Sequence, residues 1–106
     1  MSKKVLYNVT VKVDKEHIES WLKWMKEHHI LDVMRAGGFE RYTFTRILAD
    51  DPDDGATFAI QYLSENMEKF MHYHEHLAQE YRDDYARNFP QGTYAFRTLM
   101  EVEEEG

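Results

Sequence analysis

Residues 40–63 read ERYTFTRILADDPDDGATFAIQYL, and the architecture turns on this stretch. Residues 40–49 alternate bulky and small or polar side chains with a period of two, the pattern of a half-buried strand. The cluster DDPDDG at 50–55 supplies a turn around Pro52 and Gly55, and ATFAIQYL resumes the strand pattern, so the two runs make a hairpin. On the N-terminal side, KVLYNVTVKV (4–13) alternates strictly and predicts a first strand. Asp14 is placed to cap a helix in which Ile18, Trp21, Leu22 and Met25 recur at three- and four-residue spacing, and Gly37-Gly38 ends it. On the C-terminal side, Ser64 is placed as the N-cap of a second helix carrying Met67, Phe70, Met71, Leu77, Ala78 and Tyr81 on one stripe. That helix stops by Phe89-Pro90, and TYAFRTLMEV (93–102) is the last strand.

The order β-α-β-β-α-β predicts an α+β, ferredoxin-like sandwich, in which two antiparallel helices cover one face of a four-stranded antiparallel sheet. No linker or low-complexity stretch interrupts it, so residues 1–106 are expected to form a single domain, with 101–106 as a solvated acidic tail. Each strand has a bulky side suited to the helices: Val5/Tyr7/Val9/Val11, Tyr42/Phe44/Leu48, Phe58/Ile60/Tyr62 and Tyr94/Phe96/Met100. The opposite side mixes apolar residues with small hydroxyls and amides, richer in apolar groups than a face left to water. A second copy of the sheet is the natural cover. Leu6, Asn8, Thr45, Ile47, Gln61, Arg97 and Leu99 are the candidate residues of that dimer face.

Composition narrows the function classes. The chain has 106 residues and a net charge of −7. With no Cys, disulfides, thiolate metal sites and Cys nucleophiles are excluded. The acidic balance argues against nucleic acid as a partner, because phosphate contacts need clustered Lys and Arg. No apolar run reaches the roughly 18 residues of a membrane span, and Lys3-Lys4 leads directly into a strand, so a cytoplasmic location without a signal peptide is the expectation.

Four segments carry a family resemblance: YNVTVKV (7–13), WLKWMKEHHILDVM (21–34), GGFERYTFTRIL (37–48) and YAFRTLMEV (94–102). Together they resemble a small bacterial family of unknown function (DUF4286-like) within the dimeric α/β-barrel group of ferredoxin-like domains. Leu31 departs from that pattern, which leads one to expect Pro after the His-Ile pair. The resemblance implies two subunits packing their open sheet faces into a barrel. It carries no catalytic residues, since the family has no established activity. The wider group includes cofactor-free monooxygenases and haem-degrading enzymes with pockets between helices and sheet, an analogy of fold and not of chemistry.

Six histidines invite a metal reading, but His72 and His76 on a helix face have no third ligand beyond solvent-facing residues, and exposed histidines are the favoured reading; no metal is expected. Helical phase sets His29 on the stripe of Ile18, Leu22 and Met25, and His74 at the centre of the second helix's stripe. Antiparallel helices would bring the two close in the layer above the sheet, where Tyr7, Tyr62, Tyr81 or Asp32 could satisfy them. The pocket candidates are therefore His29, His74, Trp21, Met25, Tyr7 and Tyr81. A satisfied histidine at the core edge competes with a working acid/base or ligand contact. The functional reading is a homodimer with a binding or assembly role and no expected cofactor. The alternative is a small-molecule enzyme or a haem-binding, monooxygenase-like protein using that pocket.

Overall fold

The computed structural model describes residues 2–48 and 54–106. Strands β1 (Val5–Val13), β2 (Arg41–Arg46), β3 (Ala56–Ser64) and β4 (Thr93–Glu101) form one antiparallel sheet in the order β2-β3-β1-β4. Between β1 and β2 runs a helical segment of α1 (Ile18–Trp24), a π-helical turn (Met25–His29) and α2 (Ile30–Gly37). Between β3 and β4 run α3 (Met67–His76) and α4 (Ala78–Asn88). This is the ferredoxin-like βαββαβ fold that the order of patterns predicts. The 50–53 part of the expected hairpin turn lies outside the described residues.

Helices and sheet enclose one core. Residues directly paired across an antiparallel ladder share a face, so Tyr7↔Tyr62, Val9↔Ile60 and Val11↔Phe58 point together toward the helices. Trp21, Met25, Ile30 and Val33 descend from the first helical segment, and Phe70, Tyr73 and Ala78 from the second, all buried. Gly38 ends α2 with φ +61°, a left-handed C-cap that a glycine reaches without steric cost, and its N–H bonds to the Met34 carbonyl.

Several local expectations need correction. The faces of β4 are reversed: Leu99 pairs with Tyr7, Arg97 with Val9 and Ala95 with Val11, so these three lie on the helix side. Tyr94 and Phe96, expected in the core, stand on the open face at 61% and 64% exposure. Arg97 and Leu99 therefore leave the dimer-face set, whereas Leu6, Asn8, Thr45 and Gln61 share the open side, with Ile47 following in phase where its N–H bonds Thr57. Bulk misleads on this edge strand, because its phase is fixed by the pairing with β1 and not by side-chain size. In β2 the helix-side residues are Tyr42, Phe44 and Arg46, while Leu48 lies beyond the strand at 90% exposure. Arg46 sits over the Phe58 ring, 5.6 Å from its centroid.

The second helical segment breaks at Leu77, whose φ/ψ of −120°/−30° is not helical, so the stripe read straight through it loses phase. Phe70 and Tyr73 are buried, while Met67 and His74 are exposed. Its N-cap is Asn66, whose side chain accepts from the Lys69 N–H at 2.8 Å; Ser64 instead closes β3 and donates to the Asn66 carbonyl. The acidic tail is not simply solvated. Val102 donates to the Lys4 carbonyl, and Glu105 pairs with Arg41 at 2.8 Å and Lys4 at 3.7 Å. Since β3 lies between β1 and β2, the tail crosses three strands near one end of the sheet.

Candidate functional site

A cavity of about 120 Å³ lies between the helices and the sheet. Its floor is Tyr7, Val9 and Val11 of β1, Ile60 and Tyr62 of β3, and Ala95 and Arg97 of β4. Its roof is Met25, His29 and Val33 from the first helical segment and Tyr73, Ala78, Tyr81, Arg82 and Tyr85 from the second. Small Ala95 and Ala78 leave the space; the reversed phase of β4 is what sets Ala95 and Arg97 facing it.

His29 closes the π-helical turn. A π-turn inserts a residue into the helical ladder and re-aims the side chains around it, a distortion frequent at functional sites. The imidazole stacks on Trp24 at 5.0 Å and meets the edge of Tyr85 at 5.5 Å. Its Nδ1 is the buried side-chain polar atom without a hydrogen-bond partner among the described residues. Burial pulls its pKa from 6.5 to about 4, with Asp84 and Asp32 opposing and Arg97 reinforcing the shift, so the ring is neutral near pH 7.

Burial also raises the pKa of Tyr62, Tyr73 and Tyr85, keeping these phenols protonated. Tyr85 is fixed by a relay in which the buried Trp21 indole N–H donates to its Oη at 2.8 Å and Tyr85 donates to the Thr93 hydroxyl at 2.9 Å. Trp21 thus positions a cavity wall without lining the cavity, and its ring packs on Phe58 and Phe44.

Of the pocket candidates, Tyr7, Met25, His29 and Tyr81 line the cavity. His74 does not join His29; it is exposed, stacks on Phe70 and accepts a hydrogen bond on Nδ1 from Arg82 Nη2 at 3.1 Å. It acts on the cavity at one remove, by holding Arg82. Tyr73, Arg82, Tyr85 and Arg97 were not among the sequence candidates for this pocket. Tyr85 follows Tyr81, and Arg82 follows Ala78, at four-residue spacing and could have been found that way; Tyr73 is hidden by the break at Leu77. His72 and His76 lie on the rim of a separate, open groove beside Gly37 and Gly38, their rings 5.1 Å apart. Among the described residues no three His, Cys, Asp or Glu side chains are grouped to hold a metal. No helix among them is long and apolar enough to cross a membrane.

A pocket of this size matches one aromatic ring. An apolar cavity of roughly 150 Å³ accommodates benzene, so a tetrapyrrole does not fit, and the haem alternative has no support in the geometry.

The fold recurs among solved structures of low sequence identity. A dimeric ferredoxin-like protein from an uncultured marine organism superposes with a TM-score of 0.76 at 9% identity, covering 100% of both chains. An EthD-like protein from Ralstonia eutropha gives 0.68 at 16%, over 100% of this chain and 97% of its own. A variant of SnoaB, a cofactor-independent oxygenase from Streptomyces nogalater, gives 0.67 at 13%, over 98% and 97%. Identities this low carry the fold alone. No curated protein matches the chain by sequence. A family model does, across residues 4–103, and the chain accordingly belongs to DUF4286, a domain of unknown function.

Proposed function

We propose that this protein is a homodimeric α/β barrel that binds a small molecule in the cavity between its helices and sheet. The observation that carries the binding role is the cavity itself, which combines a neutral His29 with an unpartnered Nδ1, five tyrosines and two arginines around a space left by two alanines. A residue set chosen only for core packing would fill that space and satisfy that nitrogen. Concave, largely apolar sites with a few convergent polar groups are the usual form of ligand pockets.

Dimerisation is supported by the exposed Tyr94 and Phe96 on the open sheet face and by the dimeric description of the marine neighbour. An isologous pairing of two such faces would bury the aromatic pair of each copy.

A ligand-observed NMR screen of single-ring compounds tests the binding role. Binders are expected for the native chain and should be lost in Ala78→Leu, whose added carbons occupy the cavity. Binding undiminished in that variant would move the site elsewhere.

A further inference from the structure

Resting on the reading of this cavity as a ligand site, we propose that its ligand is a single-ring aromatic carboxylate, its ring inside the cavity and its carboxylate on Arg97 at the mouth.

The charge balance points to an anion. The lining holds two guanidinium groups and no carboxylate, in a chain whose net charge is −7. Several other cations are matched, Lys3 with Glu101 and Glu103, Lys4 with Glu40, Arg41 with Glu105 and Arg87 with Asp84, and Lys15, Lys23 and Lys26 are exposed to water on or just ahead of the first helical segment, away from the cavity lining. Arg97 has no hydrogen bond or ion pair among the described residues. Arg82 donates to His74 Nδ1, a ring nitrogen that accepts only when it carries no proton, so that contact leaves the Arg82 charge uncompensated. Burial holds Tyr62, Tyr73 and Tyr85 protonated, so these phenols supply no negative charge.

Shape and lining select the rest of the molecule. Arg97 belongs to the exposed edge strand β4, and its neighbour on the same face, Ala95, opens the cavity inward from it. An anion at Arg97 therefore leaves its attached group facing Tyr7, Met25 and Tyr85. These walls suit a flat apolar ring, and about 120 Å³ limits it to one. The planar guanidinium fork of Arg97 matches a carboxylate in two-point contact.

The probes are benzoate, its neutral isostere benzamide, and acetate, titrated by amide NMR into the native chain, Arg97→Gln and Arg97→Lys. Benzoate is expected to bind at least about 10-fold more tightly than benzamide, as a charge-assisted contact adds to ring burial. Acetate should bind more weakly than either. Arg97→Gln should abolish the preference for benzoate over benzamide, and Arg97→Lys should keep part of it; the amide spectrum of each variant verifies its fold. Equal affinity for benzoate and benzamide in the native chain would overturn the charge assignment while leaving the cavity as a binding site. Acetate binding as tightly as benzoate would overturn the aromatic part. If neither ring compound binds at millimolar concentration, the ligand-site reading fails, and this proposal with it.

Discussion

A neutral imidazole held among aromatic rings links folding stability to pH. The folded-state pKa of His29 lies at about 4, below its unfolded value of 6.5. Above pH 6.5 both states are neutral and this residue contributes no pH dependence. Between 6.5 and 4 the unfolded chain takes up a proton that the folded chain refuses, so stability falls as pH falls; below about 4 the effect levels off. The size across that window is up to about 3 kcal/mol. Urea denaturation at pH 7 and pH 4.5 measures it. His29→Gln should flatten the difference, separating His29 from the carboxylates that titrate in the same range. An equal pH slope in the variant would mean that His29 is solvated. The expected pairing of two buried histidines was half legible: helical phase located His29, but no local signal marked the break at Leu77, which puts Leu77, Ala78 and Tyr81 out of phase with α3 and so misplaced the stripe on which His74 was centred.

At the scale of elements, the strands and helices were readable because alternation and three-four spacing are local properties of the sequence. Which face of β4 meets the helices is not local. Its phase follows from the pairing with β1, and an edge strand that forms one wall of a cavity keeps its large aromatics on the other side. The site residues that sequence reasoning missed also depend on non-local features, since Arg97 was assigned to the other face of the sheet and Tyr73 lies ahead of a helix break. The π-helical turn at Met25–His29 likewise leaves no signature in apolar spacing, though it sets the orientation of His29. The relay from Trp21 through Tyr85 to Thr93 ties α1, α4 and β4 together. Tyr85→Phe removes both bonds and leaves the buried Trp21 N–H unpaired, with an expected loss of about 1–3 kcal/mol in equilibrium denaturation. A variant as stable as the native chain would show that water replaces the hydroxyl.

At the scale of the whole molecule, the open sheet face and the cavity lie on opposite sides of one sheet, so assembly and binding are separable. Light scattering should give twice the 12.7 kDa chain mass. Phe96→Asp sets a charge on the most exposed aromatic of that face and should shift the mass to a single chain, while cavity binding by the monomer persists. A native chain already monomeric at micromolar concentration would remove the barrel. Whether the cavity is the binding site is read from the His29 imidazole ¹⁵N resonances during titration with a single-ring binder. Saturable shifts at His29 that disappear in Ala78→Leu are the expected result. Saturable shifts confined to residues of the open sheet face, with His29 unmoved, would contradict it.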